Sequence, residues 1–312
     1  MGRFYSMKKV LVTGASGFIG YKTLNFLINK GYEVHALTTR GINISDNSIV
    51  KWYKINLLNN DETEKIVQVI KPNYILHFAW YAVPGKYSSA KENLDWVQSS
   101  IQLLKSFKKY GGERFIFAGT CFQYDLGYGL MDENVTPSIP NSLYGICKNS
   151  FENMAREYCC KNGMSFASGR IFYIYGEREN KNRIIPYVIN SLLNGKVANC
   201  SHGNQIRDFM HVDDVANAFV EILDSSIDGV INIGSGQAIN IKEILFKVGE
   251  KLNKKELINL GAIKTASNEP KMIVANNDRL KNETNWSQCY SLERGIEKTI
   301  NWWKEMKIEN GI

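Results

Sequence analysis

Lys9-Val10-Leu11-Val12-Thr13-Gly14-Ala15-Ser16-Gly17-Phe18-Ile19-Gly20 carries a strand, a tight turn and the start of a helix in twelve residues. Lys9 to Thr13 form a short, mainly apolar run, the mark of a buried strand. Beyond the turn, Phe18, Ile19, Leu24, Phe26, Leu27 and Ile28 recur at near-helical spacing up to Asn29. Glycines between strand and helix let the turn fold tightly. They also let a dinucleotide's pyrophosphate approach the backbone at the helix N-terminus, where free N–H groups point outward. Gly14, Ser16, Gly17, Phe18, Ile19 and Gly20 are therefore the first expected cofactor contacts, with a plain tight turn as the alternative.

Outward from this stretch, strand and helix signals keep alternating. Strands are expected at Glu33–Leu37, Trp52–Ile55, Tyr74–Phe78, Arg114–Ala118 and Ser165–Ile171. Helices are expected at Glu62–Ile70, Asn93–Lys109 and Leu143–Cys160. Such alternation argues for an α/β fold, a Rossmann-type doubly wound parallel sheet. Beyond Gly176 the pattern loosens, with helices expected at Ile184–Leu193, Val212–Leu223, Ile241–Leu252 and Ser291–Trp303. We expect a dinucleotide-binding domain over residues 1–170, with segments near 200–235 partly returning to it. Residues 171–312 would form a smaller C-terminal α/β part, the substrate wall of a cleft.

The bulk numbers exclude several classes. The chain has 312 residues, 44% hydrophobic and 22% charged, an ordinary globular composition. No run approaches the ~18 uncharged apolar residues of a membrane span. The first residues lack the apolar core of a signal peptide, so a cytoplasmic protein is expected. The six cysteines show no CxxC pairing and the four histidines no HExxH-like pattern, so no metal site is expected. The net charge of +7 is spread along the chain without a basic block, so no nucleic-acid partner is expected.

The end of the second strand bears on the choice of dinucleotide. NAD sites usually place Asp or Glu there, ~20 residues after the glycines, to hold the ribose 2′-hydroxyl. Leu37-Thr38-Thr39-Arg40 offers no acid. Thr38, where the carboxylate would stand, does not repel a 2′-phosphate, and Arg40 can pair with one. Thr39 and Arg40 are expected cofactor contacts. NADP(H) is favoured, and NAD(H) with a weaker ribose contact is the alternative.

Tyr144-Gly145-Ile146-Cys147-Lys148 sets Tyr and Lys four apart, on one face of a helix. Tyr5/Lys9 and Tyr87/Lys91 share that spacing but lie across the first strand and in a loop, and read as incidental. Only Tyr144/Lys148 opens the long helix after the fifth strand, where it can reach a nicotinamide beyond the strand ends. Reducing a ketone requires a hydride at carbon and a proton at oxygen. A free Tyr has a pKa of ~10, and a nearby ammonium favours its phenolate. Tyr144 is thus the expected acid or base, and Lys148 tunes it and holds the nicotinamide ribose. Thr120, just past strand Arg114–Ala118, is the expected hydroxyl on the substrate oxygen. Cys121 beside it reads as a packing thiol.

With these residues in place, the chain resembles the extended short-chain dehydrogenase/reductases of the NAD-dependent epimerase/dehydratase family, almost end to end. The resemblance rests on the glycine turn, His77-Phe78-Ala79-Trp80, Thr120 four before Tyr124, and Tyr144/Lys148. It continues through Arg170–Gly176, Arg207–Val215 and Asn232-Ile233-Gly234. It implies a nucleotide-diphosphate sugar as substrate, with Arg207 on the diphosphate, Asn56 near the adenine and Ile185-Pro186 lining the nucleotide pocket. Further cofactor contacts are expected at Leu57, Phe78 and Ala79, and further substrate contacts at Trp80, Gln123, Tyr173 and Arg183. Family dimers imply a homodimer through Asn93–Lys109 and Leu143–Cys160.

Departures from the family narrow the reaction. Sugar 4,6-dehydratases have Asp-Glu where Cys121-Phe122 stand. UDP-galactose 4-epimerase-like enzymes have the acid missing at Thr38. GDP-fucose synthase-like enzymes have Cys and His where Phe122 and Arg183 stand. Trp96 replaces an Asn near the nicotinamide, and Tyr173 one near the sugar diphosphate. Trp80, Tyr81, Trp96 and Tyr173 could line an aromatic pocket suited to a deoxygenated sugar, or simply pack in the core. Asp125–Met131 reads as a mobile flap or a surface loop. The expected activity is NADPH-dependent reduction of the C4 ketone of a 4-keto-(di)deoxy sugar nucleotide. That is similar to the CDP-abequose synthase and dTDP-4-keto-sugar reductase groups. An NAD-dependent C4 epimerase is the alternative, and a non-catalytic sensor of dinucleotide or sugar nucleotide is the reading from another class.

Overall fold

In the computed structural model, which describes residues 7–41 and 49–309, the alternating pattern folds as the sequence implies. The first half runs β1 (Lys9–Thr13), α1 (Phe18–Asn29), β2 (Glu33–Thr38), β3 (Lys51–Lys54), α2 (Asn60–Ile70), β4 (Tyr74–His77), α3 (Glu92–Lys109) and β5 (Arg114–Thr120). Then follow β6 (Leu130–Met131), α4 (Leu143–Lys161), β7 (Ser165–Ile171), β8 (Tyr173–Tyr175), α5 (Ile184–Leu193), β9 (Ala198–Asn199), β10 (Ile206–Arg207) and β11 (Phe209–His211). The chain closes with α6 (Val212–Asp224), β12 (Gly229–Ile233), β13 (Ile239–Asn240), α7 (Ile241–Lys251), β14 (Ile258–Asn259), β15 (Met272–Ala275), α8 (Asp278–Glu283) and α9 (Leu292–Glu309).

Seven strands form one parallel sheet in the order β12-β7-β5-β4-β1-β2-β3. Side chains alternate between its faces, and both faces are covered, so β1 and β5 are nearly continuous apolar runs. Val10 and Val12 pack with Leu24, Leu27, Val215 and Phe219 of α1 and α6. Leu11, on the opposite face, joins Val67, Leu103, Phe107, Phe115, Phe117 and Phe151 beneath α2, α3 and α4. The winding direction reverses between β1 and β4. That reversal opens a crevice beyond their carboxyl ends, where doubly wound sheets bind ligands.

The smaller sheet, in the order β13-β10-β15-β6, lies beside a third core built by α5, α7 and α9. Asp208, between β10 and β11, is buried and accepts hydrogen bonds from Ser235 N and Oγ, Gly236 N and Ala275 N. Those bonds compensate a charge that would be costly if left unpaired. The segment Asp125–Met131 lies at the surface, with Gly127, Tyr128 and Leu130 exposed. It contains a 3-10 turn at Leu126–Tyr128, and its end, β6, pairs in parallel with Val274 and Ala275 of β15.

Candidate active site

The glycine turn closes against the sheet at close quarters. Gly14 has φ +64°, and a Cβ there would lie 2.9 Å from Ala79 N. A Cβ at Gly20 would lie 2.4 Å from Gly14 O, and one at Gly17 3.0 Å from it. Gly17 caps α1 in extended conformation with no side-chain hydrogen bond, and the first turn holds no acid. A helix end left this way suits the pyrophosphate of a dinucleotide. The turn is tied to β2, because the Ser16 and Thr38 hydroxyls hydrogen-bond at 2.7 Å and Arg40 N donates to Thr38 Oγ1 at 3.0 Å. The Thr38 hydroxyl is therefore engaged within the protein, while Thr39 and Arg40 are exposed. Asn56, just past β3, is also exposed. Its N–H donates to Glu62 Oε2 and its Oδ1 accepts from Leu58 N, and Leu57 is buried.

Beneath Phe78 and Ala79 runs a directed hydrogen-bond chain. Ala79 N donates to Thr13 Oγ1 at 3.2 Å, and Thr13 Oγ1 lies 2.7 Å from His77 Nδ1. His77 Nε2 lies 2.9 Å from Ser100 Oγ, which donates to Trp96 O at 2.6 Å. Because Ser100 spends its proton on Trp96, His77 must donate from Nε2 and accept at Nδ1. The ring is neutral: burial, helped by the Lys148 ammonium, pushes its pKa down to about 3.

Thr120, Tyr144 and Lys148 come together at the end of β5 and the first turns of α4. Ser142 caps α4 by accepting from Gly145 N, and Tyr144 N donates to Ser88 O at 3.0 Å. The half-buried Tyr144 ring meets Tyr87 edge-on, with centroids 4.9 Å apart and an interplanar angle of 78°. Burial holds the Tyr144 phenol above its usual range and the neighbouring Tyr87 adds to this. A hydrogen bond with the Thr120 hydroxyl and the Arg183 charge pull the other way. Unliganded, Tyr144 is a proton donor at neutral pH. Lys148 Nζ donates to Ala118 O at 2.7 Å and lies 4.2 Å from the Trp80 ring, 4.5 Å from that of Phe117 and 5.8 Å from that of Tyr144. Burial lowers its pKa well below the usual lysine value, against the pull of Glu152. Thr120 Oγ1 accepts from Phe122 N at 3.3 Å, and its hydroxyl meets the Tyr144 phenol, so the two hydroxyls point to one place.

Several of the expected contacts are engaged within the protein. Gln123 does not face a substrate: it is fully buried, and its Oε1 accepts from Thr120 N at 2.9 Å, so it braces the strand end. Trp80, half-buried, stacks toward Trp96 at 6.5 Å and covers Lys148. Cys121 is buried, and burial pushes its thiol up to about 12, which keeps it protonated and inert. Arg183 lies over the Tyr87 ring at 5.5 Å. Arg207 is buried, donates to Ile206 O, pairs with Glu269 and lies 5.4 Å from the Tyr173 ring. Tyr173 in turn packs against Phe122 and Phe209. Thr39, Arg40 and Asn56 sit at the ends of β2 and β3, across β1 from Thr120, Tyr144 and Lys148. Tyr87 and Glu269 were not foreseen, since each meets its partner only through the tertiary fold.

Glu177, His211 and Asp213 form the one cluster of metal-ligating side chains among the described residues. Two ammoniums already fill it. Lys22 Nζ lies 3.2 Å from Glu177 and 3.0 Å from Asp213, and Lys298 lies 3.1 Å from Glu177 and pairs with Asp213. The cluster is a compensated ion-pair network.

A glycine-lined helix end at the switch point of a doubly wound parallel sheet, with a Tyr/Lys pair opening the helix after β5, marks the Rossmann-type dinucleotide class. The chain belongs to the NAD dependent epimerase/dehydratase family, which residues 10–234 match. It is 28% identical over 302 residues to CDP-abequose synthase of Salmonella muenchen, spanning 94% of this chain and 97% of that one. It is 27% identical over 318 residues to UDP-glucuronate 4-epimerase of Thermodesulfobacterium geofontis, spanning 95% and 96%. The solved UDP-glucuronic acid 4-epimerase from Bacillus cereus, in complex with UDP-glucuronic acid and NAD, matches with a TM-score of 0.83 at 26% identity. That match covers 96% of this chain and 99% of the other.

Proposed function

We propose that the chain is an NADPH-dependent reductase of the C4 ketone of a nucleotide-diphosphate 4-keto-6-deoxy or 4-keto-3,6-dideoxy sugar. The bound dinucleotide supplies a hydride to C4. The observation that carries the reading is the single proton donor. Tyr144 offers one phenolic proton, while the two positions after Thr120 hold a buried thiol and a packed Phe122 in place of further acid–base groups. One hydride and one proton are what ketone reduction consumes. In this scheme Thr120 donates a hydrogen bond to the carbonyl oxygen, Tyr144 protonates it, and Lys148 stabilises the phenolate that remains. Arg207, buried and paired with Glu269, carries a guanidinium suited to a diphosphate.

Arg40 and the absence of an acid at Thr38 support NADP(H). The similarity to CDP-abequose synthase supports a deoxysugar nucleotide. We read residues 1–170 as the dinucleotide-binding domain, with segments near 200–235 returning to it, and residues 171–312 as mainly sugar-nucleotide-binding. We read the protein as a cytoplasmic homodimer joined through α3 and α4, which expose Leu94, Ile146 and Met154. No helix among the described residues is long and apolar enough to cross a membrane.

The second reading, an NAD-dependent C4 epimerase, is favoured by the epimerase relatives. The deciding experiment follows NADPH and NADH oxidation with CDP-, dTDP-, GDP- and UDP-linked 4-keto-6-deoxy sugars made in situ. Rapid NADPH consumption with one of them is expected. No consumption with any, together with NAD released from the denatured protein, would replace the reductase with the epimerase.

A further inference from the structure

Asn93, in the first turn of α3, is fully buried and uses its amide in three directions. Its Oδ1 accepts from Trp80 Nε1 at 2.8 Å. Its Nδ2 donates to Tyr87 O at 2.8 Å and to Ala90 O at 2.7 Å. Both amide protons and one acceptor site are thus spent, which no aliphatic or purely acceptor side chain of that size can reproduce. The two groups it fixes bracket the reacting pair. Trp80 lies over the Lys148 ammonium at 4.2 Å, and the Tyr87 ring packs edge-on against Tyr144 at 4.9 Å. The neighbouring Ser88 carbonyl receives Tyr144 N–H, so the loop held by Asn93 also seats the first turn of α4.

We propose that Asn93 is a positioning residue for the reaction: its amide holds Trp80 over Lys148 and, through the Tyr87 backbone, seats the ring against Tyr144. The proposal rests on the reading of Tyr144 and Lys148 as the reacting pair. An indole face held above an ammonium stabilises the cation, and an orphaned buried indole N–H would be free to turn away. Deletion of the amide therefore reaches both reacting groups without touching either.

The test is spectroscopic and needs no substrate. In protein labelled with lysine carrying 13C at Cε, the Lys148 methylene is identified by its loss in Lys148→Met. In the wild type it is displaced upfield by the Trp80 ring current. Asn93→Ala, and Asn93→Gln, which displaces the same amide by one methylene, should both move it toward the position of the exposed lysines. In a Trp80→Phe background, Asn93→Ala should move it little. An unchanged signal in either folded Asn93 variant, or an equal shift in both backgrounds, would overturn the proposal. Turnover of CDP-4-keto-3,6-dideoxyglucose with NADPH should fall by about 10- to 100-fold in the same variants, the scale of a misplaced reacting group. A wild type inert toward that sugar and toward every sugar nucleotide of the panel above would sink the reductase reading, while the lysine signal still decides the role of Asn93.

Discussion

Tyr144→Phe removes one oxygen from a site whose scaffold does not depend on it. The ring's edge-on contact with Tyr87 survives, as do the Ser142 cap and the backbone bond from Tyr144 N to Ser88 O. Only the hydrogen bond with the Thr120 hydroxyl is lost, so stability should change by less than about 1 kcal/mol. The chemistry should change far more. The phenol is held protonated by burial, and Lys148 is too deeply enclosed between Trp80 and Phe117 to replace it as donor. Loss of a positioned general acid costs about 100- to 10,000-fold. At about 1.36 kcal/mol per factor of ten, that is about 2.7–5.4 kcal/mol of transition-state stabilisation. The assay is single-turnover oxidation of bound NADPH by the sugar nucleotide, with dissociation constants for both ligands measured separately. A variant that binds normally and turns over within tenfold of wild type would refute the assignment.

Other expectations follow from charge and burial. Arg40→Ala should reduce the preference for NADPH over NADH by about tenfold or more, the scale of a charge-assisted hydrogen bond; an unchanged ratio of kcat/KM would discard the 2′-phosphate contact. The folded pKa of His77 is about 3 against 6.5 for the free ring. The unfolded chain therefore takes up that proton first, and stability is lost as pH falls from 6.5 toward 3, by up to about 1.4 kcal/mol per pH unit. Denaturation curves of His77→Gln should show a shallower loss over that window, and parallel curves would contradict a neutral buried ring. The Arg170–Glu152 pair is buried, with Ser168 Oγ also donating to Glu152. Glu152→Leu alone should cost about 3–5 kcal/mol in urea unfolding, and Glu152→Leu with Arg170→Met much less. A single variant no worse than the double would mean the pair is not coupled.

The central sheet was legible because its strands are buried on both faces, so Val10, Leu11 and Val12 or Phe115, Ile116 and Phe117 read as unbroken apolar runs. The glycine turn was legible because its neighbours on both sides carry different periods. The smaller sheet was not. Its strands β10, β13 and β6 are two residues long, too short for any period, and they are defined by pairing with distant segments such as β15. That Thr120, Tyr144 and Lys148 meet could be read from their positions along the chain, but their surroundings could not. Thr38 was read only as a position that does not repel a 2′-phosphate, and the bond of its hydroxyl to Ser16 could not be seen from the chain. Gln123 was read as facing the substrate, yet its amide braces Thr120. Tyr87 was set aside with Lys91 as a chance pair, and only the folded loop brings its ring to Tyr144.

The network of Lys22, Glu177, Asp213 and Lys298 also orders events in time. Lys22 belongs to the first helix and Lys298 to the last, and both ammoniums share the same two carboxylates. During synthesis the acids of the middle of the chain can meet α1 early, but they lack their second cation until α9 has left the ribosome. The helix that follows the glycine turn is thus tied, through two shared carboxylates, to the end of the polypeptide.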